Sequence, residues 1–254
     1  KLNSRVTGIA LDGDRVTSVK LAQNGEIACD YLIATIPLPE LVQMLRPPPE
    51  ARYLEVARRL GFRSIRFLNI LINRPQVSDN TWIYVPETDI LFFRVQEPKN
   101  WSPQNAPEGK TSLILEIACN VGDAVWSAPD DEIYRRCCAD LNRMGFDIER
   151  DTIRYFSTRV PHGYPVYDLE YRAKLSALYE LTGRIRNLIC CGRQGLFRYN
   201  NMDHSMKMGF LAADHVLRGA SREAIFRVGV EASLFEYDNV LQETRPEPAK
   251  AQSA

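Results

Sequence analysis

Gly192-Arg193-Gln194-Gly195-Leu196-Phe197-Arg198-Tyr199-Asn200-Asn201-Met202-Asp203 lies between a short apolar run, Asn187 to Gly192, and a helical pattern from Met202 to Leu217. The run reads as a strand buried on both faces, as in a parallel sheet. Two glycines in the connection allow close backbone approach by a ligand, and the start of the next helix offers free N–H groups to a carbonyl or anionic oxygen. Arg193 and Arg198 add positive charge suited to phosphate. On physical grounds alone, a capped turn with two surface arginines fits the stretch about as well. Met206, Phe210, Ala213 and Leu217 mark the expected buried face of the helix.

Outward from this stretch the pattern is mixed. Val6 to Ile9, Arg15 to Leu21 and Glu26 to Asp30 read as an antiparallel meander with turns at Asp12-Gly13-Asp14 and Gln23-Asn24-Gly25. It feeds a second apolar strand, Tyr31 to Ile36, which stops at Pro37 and is also expected to be buried on both faces. Helices follow at Glu40 to Leu45 and Glu50 to Leu60, the latter stopped by Gly61. Phe62 to Asn73, a hairpin of Trp82 to Val85 with Ile90 to Gln96, and Leu113 to Cys119 make an antiparallel sheet. A helix opens at Ser127 to Glu132 with proline and acids in its first turn, its apolar face being Ile133, Cys137, Leu141 and Met144. A strand at Thr152 to Arg159, an irregular crossing from Pro161 to Tyr167 and a helix from Leu169 to Leu181 return the chain to the central stretch. Gln242 to Ala254, rich in Pro, Glu, Gln, Ala and Lys, is expected to be disordered.

The order of residues in Gly192-Arg193-x-Gly195-x-Phe197-Arg198-Tyr199-x-Asn201-Met202-Asp203 resembles the C-terminal flavin motif of UDP-galactopyranose mutases. It is similar too to that of protoporphyrinogen-oxidase-like and amine-oxidase-like flavoproteins. The resemblance implies that Gly192 and Arg193 lie beside the ribityl and pyrophosphate of FAD. It also implies that the backbone at Met202 and Asp203 meets the flavin pyrimidine oxygen, and that Tyr199 faces substrate. Three further segments match in order. Phe93-Arg94-Val95-Gln96-Glu97-Pro98-Lys99-Asn100-Trp101 resembles a strand whose arginine, here Arg94, reaches the substrate. Gly163-Tyr164-Pro165-Val166 resembles a crossing beside the flavin ring. Asp30 to Pro37 resembles the strand returning to the FAD domain, with Thr35 and Pro37 near the cofactor, and Val6 fits a valine that touches the adenine.

The implied fold is α+β. An antiparallel-sheet substrate domain with helices (47–183) joins the remaining part of a Rossmann-like FAD-binding domain of the GR2 type (1–46 and 184–220), without its N-terminal βαβ. The family's Gly-x-Gly-x-x-Gly is not in this sequence, and the chain opens on Lys1 directly before a strand, as a cut or processed product would. The expectation is a half-site for FAD, completed by a preceding segment or another chain, with this stretch by itself incomplete as an enzyme. The leading reading is the C-terminal part of an FAD-dependent oxidoreductase. Alternatives are a nucleotide-sugar mutase, and a non-catalytic fragment or partner subunit. No general acid, base or nucleophile is assigned.

Composition excludes little. Of 254 residues, 45% are hydrophobic and 25% charged, with a formal net charge of +0, so no basic nucleic-acid face or polybasic anchor is expected. No apolar run approaches the ~20 residues of a membrane span. The six cysteines form no C-x-x-C pair, which suits buried residues in a reducing, cytoplasmic setting. His162, His204 and His215 lack metal-ligand spacing, and His204 reads as a cap or a neighbour of the flavin. A small-molecule substrate is expected, a nucleotide-sugar among the candidates.

Overall fold

The computed structural model describes residues 2–23 and 25–229. The expectation for 242–254 lies outside them. The chain forms two compact units, one of residues 1–60 with 167–254 and one of Gly61–Val166.

The first unit opens with β1 (Val6–Asp12), β2 (Arg15–Leu21) and β3 (Glu26–Ala28), followed by β4 (Leu32–Ala34), α1 (Leu38–Met44), β5 (Leu45–Arg46) and α2 (Ala51–Arg58). The turn between β1 and β2 is carried by Gly13 at φ +56°, where an L side chain would be strained. β5 adds parallel to β1, so one sheet runs β3-β2-β1-β5. Ile9, Val16, Leu38, Leu41, Val42 and Leu45 are buried where α1 covers it.

The second unit is a five-stranded sheet, β10-β6-β9-β8-β7 in order, built from β6 (Phe62–Ile72), β7 (Trp82–Tyr84), β8 (Arg94–Gln96), β9 (Thr111–Cys119) and, after α3 (Ala124–Ser127) and α4 (Asp130–Arg143), β10 (Thr152–Pro165). Alternate residues Leu68, Ile70, Ile72, Leu113, Leu115 and Ile117 face Ile133, Cys137 and Leu141 of α4, all within 1% of full burial. Each such side chain is worth roughly 1.5–3 kcal/mol on burial. The other face of the sheet carries Arg94, Gln96 and Glu116, one position out of phase.

Two expectations change here. Ile90 to Phe93 does not continue the hairpin as strand: Leu91 N–H donates to Asp140 of α4 and Phe92 is buried, so the chain bends onto the helix. Conversely, the expected crossing at 161–167 stays in β10 as far as Pro165, pairing Tyr164 with Arg63 and Pro165 with Phe62 across an irregularity. Gly163 permits this, since a Cβ there would lie 2.5 Å from Ile65 Cγ1. The prolines are tolerated because β10 is an edge strand.

The chain then returns to the first unit as α5 (Tyr171–Gly183), β11 (Leu188–Cys190), α6 (Gly192–Gly195), α7 (Met202–Arg218) and α8 (Glu223–Arg227). β11 pairs parallel with β4 in a two-stranded sheet. Asn187, 1% exposed, joins it to the meander: its side chain accepts from Val16 N–H and donates to the carbonyls of Val16 and Asp30. Leu188 to Cys191 are buried as expected, but β4 is not buried on both faces, Ile33 being 44% exposed. The face of α7 is also reversed. It buries His204, Met208 and Ala212, because Met208 Sδ accepts from Gly192 N–H and His204 closes the helix start, and this leaves Met206, Phe210 and Leu217 exposed.

Candidate functional site

In the first unit, the quoted stretch leaves the C-terminal end of β11 and reaches the start of α7. Gly192 sits at φ +78°, with no atom within 4 Å of where a Cβ would stand. Gly195 has the opposite environment. A Cβ there would lie 2.6 Å from Ala34 O and 3.4 Å from Thr35 Cα, so its close approach is to the end of β4 rather than to a ligand. Thr35 is thereby brought beside the glycine loop, with Pro37 capping the start of α1. Val6 stands in the other sheet of the unit, opposite Leu21.

The two arginines are partly spent on structure. Arg193 donates from Nε (3.1 Å) and Nη2 (2.7 Å) to Asn200 O. Arg198 donates to Phe226 O and Val228 O and so holds the end of α8, a use that its sequence context did not announce. Between them Phe197, fully buried, takes φ +45°. A bulky side chain in that region costs on the order of 1–3 kcal/mol and must be held by its surroundings. Tyr167 helps to hold it: its hydroxyl accepts from Tyr199 N–H and donates to Phe197 O. Burial pushes the Tyr167 and Tyr179 phenols up, and Tyr179 donates to Leu196 O at 2.5 Å. Tyr199 itself is 52% exposed.

Asn201 and His204 form a capping box at the start of α7. His204 Nδ1 accepts from Asn201 N–H at 3.1 Å, which leaves the proton on Nε2. That Nε2 and the neighbouring Asp203 Oδ1 are buried without a hydrogen-bond partner among the described residues. Met202 is 82% exposed.

In the unit Gly61–Val166, Arg94 lies on the open face of the sheet. Its Nε and Nη2 donate to Glu116 Oε1 at 2.8 and 2.5 Å, Nη1 to Tyr84 Oη at 3.3 Å, and Nη2 to Tyr164 Oη at 3.1 Å. Glu116, 1% exposed, also accepts from Gln96 and from Tyr164. The guanidinium lies 5.2 Å from the Trp82 ring centroid. Burial opposes the charge on Arg94, but the hydrogen bonds to Tyr84 and Glu116 outweigh it and raise its pKa. The structure thus brings Arg94 and Tyr164 together, with Pro165 buried next in the strand. Glu116 and Tyr84 were missed by the sequence reading. The available signal was a glutamate inside the apolar run Leu113-Ile114-Leu115-Glu116-Ile117. Glu97, in the same quoted segment as Arg94, has a structural role, accepting from Val77 N–H, Ser78 N–H and Thr111 Oγ1.

Residues 1–185 match the family described as flavin containing amine oxidoreductase. This chain belongs to that family. Its fold is similar to that of reduced UDP-galactopyranose mutase, with a TM-score of 0.75 at 24% identity over 89% of this chain and 48% of the other. It is similar as well to wild-type putrescine oxidase bound to putrescine, with a TM-score of 0.59 at 14% identity over 85% and 49%. At these identities the likeness is one of fold. This family member spans about half the length of each of the two structures. Among its described residues, no helix is long and apolar enough to cross a membrane, and no group of three or more His, Cys, Asp or Glu could hold a metal ion.

Proposed function

We propose that this chain supplies the substrate face and the flavin-proximal part of an FAD-dependent oxidoreductase. One observation carries the reading: a left-handed Gly192 with open space before it stands at the C-terminal end of a parallel strand pair, next to the start of a 17-residue helix. Ligands of open parallel sheets bind outside the carboxyl ends of the strands, and a helix start accepts anionic or carbonyl oxygen. The orphaned Asp203 Oδ1 and His204 Nε2–H are an acceptor and a donor that a polar heterocycle could satisfy, so the residues fit a flavin.

In this reading Gly192, Arg193, Thr35, Pro37 and Val6 hold the FAD ribityl, phosphate and adenine parts, while the backbone at Met202 and Asp203 meets the pyrimidine edge. Tyr164 and Pro165 border the ring, and Arg94 and Tyr199 face substrate. In this reading the glycine-rich dinucleotide motif, which these 254 residues do not contain, is supplied by a preceding segment or by another chain. A bound flavin supplies electron-pair acceptance, and the protein orients the substrate and excludes water. The test is titration of the protein with FAD. Flavin bands that co-purify, or quenching of flavin fluorescence lost on Gly192→Val, support the reading; a protein that takes up no flavin in any assembly removes it.

The overlap with the mutase fold across 89% of the chain favours a second reading, rearrangement of a nucleotide-sugar on reduced flavin. Incubation with a UDP-hexose under reducing conditions separates the two, since a ring-contracted product appears only in the second. A non-catalytic partner subunit remains the third reading, favoured by a colourless protein that gains flavin only with another chain.

A further inference from the structure

The sheet of the second unit holds a device that the flavin reading does not use. Val160 of β10 pairs with Ile65 and Tyr164 with Arg63, so four positions on β10 answer to two on β6. In an unbroken antiparallel ladder His162 would stand opposite Arg63, and Tyr164 opposite Gly61. The two extra residues therefore carry Tyr164 about 7 Å along the sheet, toward the row in which Arg94, Glu116 and Phe67 pair. Bulges beside functional sites often re-aim a side chain in this way.

The bulge is fastened within its own unit. Ser64 Oγ donates to Pro161 O at 2.8 Å, and the His162 ring stands edge-on to Phe62 with centroids 5.0 Å apart. Gly163 is the position that has no room for a side chain, since a Cβ there would lie 2.5 Å from Ile65 Cγ1 and 3.0 Å from Arg63 O. Ile65 is out of phase with Leu68, Ile70 and Ile72, which face α4, so it stands on the open face with Glu116. Ile65 is nevertheless only 1% exposed, because the Gly163 backbone passes over it.

Beyond Gly163, the Tyr164 hydroxyl accepts from Arg94 Nη2 at 3.1 Å and donates to Glu116 Oε2 at 3.4 Å. Arg94 is thereby held on every side, with Nε and Nη2 also on Glu116 Oε1 and Nη1 on Tyr84 Oη. These bonds take four of the five guanidinium N–H groups and leave one, on Nη1, without a partner among the described residues.

We propose that Gly163 is a positioning residue for Arg94: by admitting the bulge over Ile65 it holds Tyr164 on the guanidinium and leaves a single N–H for substrate. That Arg94 faces substrate rests on the flavin reading; the positioning does not.

Labelling of the full chain with phenylglyoxal, read at Arg94 by peptide mass spectrometry, tests this, because the reagent must reach both terminal guanidinium nitrogens. Tyr164→Phe is expected to speed modification of Arg94 about fivefold, the equivalent of one hydrogen bond. Gly163→Ala should speed it about as much, and the two together no further, since both act through one contact. Ile65→Ala added to Gly163→Ala removes the obstructing Cγ1 and should restore slow labelling, a rescue that a merely destabilised sheet would not give. Ser64→Ala, which introduces no clash, should also speed labelling, and with the Ile65 double variant it carries the test if circular dichroism shows Gly163→Ala unfolded. Fast labelling of Arg94 in the unaltered protein overturns the proposal, as does a folded Gly163→Ala as slow as the parent, additive effects of Gly163→Ala and Tyr164→Phe, an Ile65 double variant without rescue, or an indifferent Ser64→Ala. Neither flavin nor substrate enters the measurement, so its failure leaves the flavin reading standing, and failure to take up flavin leaves this result standing.

Discussion

Arg94 and Glu116 face each other across β8 and β9, two guanidinium donors converging on one carboxylate oxygen at 2.8 and 2.5 Å. The pair is largely out of water, with side-chain exposures of 17% and 1%. Removing one partner of such a pair leaves a charge without compensation. Glu116→Leu is therefore expected to destabilise by about 3–5 kcal/mol. Arg94→Met with Glu116→Leu together should recover most of that, and a double-mutant cycle from urea unfolding measures the coupling. Additive single effects would show that the two groups act independently.

Stability should fall in acid through Asp130. Burial alone would raise its pKa, but hydrogen bonds from Ser157 and the Arg66 guanidinium outweigh that and hold it below the ordinary carboxylate range. A depressed folded pKa contributes stability that is present above the unfolded value, about 4, and is lost as pH falls through the folded one. Asp123, lowered by backbone N–H donors at Trp126 and Asn120, acts in the same direction. Tm followed from neutral pH downward should drop below about pH 4, and Asp130→Asn should flatten that fall while lowering Tm at neutral pH.

The two glycines of the quoted stretch should respond differently to alanine. Gly195→Ala drives a Cβ to 2.6 Å from Ala34 O, a backbone atom with nowhere to go, and a loss of about 1–3 kcal/mol is expected. Gly192→Ala meets no atom and bears only the left-handed strain, about 1–2 kcal/mol. Thermal unfolding gives the order of stability. Flavin titration should show Gly192→Ala as the more damaging to binding relative to its loss of Tm.

Five of the six cysteines are buried, and Cys29 is only partly so. Burial pushes Cys190 up to about 12 and Cys138 up to about 11, and raises Cys137 and Cys119 as well. A thiol-reactive dye at pH 8 should label Cys29 in the native protein and all six only after denaturation. Rapid native labelling of more than one site would contradict this packing.

The antiparallel sheet of the second unit was legible because its strands alternate and its turns carry proline, glycine and aspartate. The strand at Leu188 was legible because an apolar run ending in glycine has few other readings. Periodicity misled at α7. Both of its faces are apolar, and no local rule says which one meets the unit. It misled at Ile33 for the same reason, since a strand apolar on both faces does not reveal whether a neighbour covers each. At the candidate site, the order Gly192, Arg193 and Tyr199 was visible. The partners that fix Arg94 were not, because Tyr84, Glu116 and Tyr164 come from three separate strands and meet only through register. The packing role of Gly195 was hidden too, because its reason lies at Ala34, far away in sequence.

Asn187 binds Val16 and Asp30 across most of the chain's length, whereas Val166 N–H reaches Gly61 O at 2.9 Å to close the second unit on itself. These two facts set an order on the ribosome. Residues 61–166 can collapse as soon as β10 emerges, since everything they need is already outside the exit tunnel. The meander must wait for Asn187, 171 residues beyond Val16, before its backbone there is satisfied. Release of the isolated stretch 61–166 should therefore yield a cooperatively unfolding domain, and release of residues 1–60 should not.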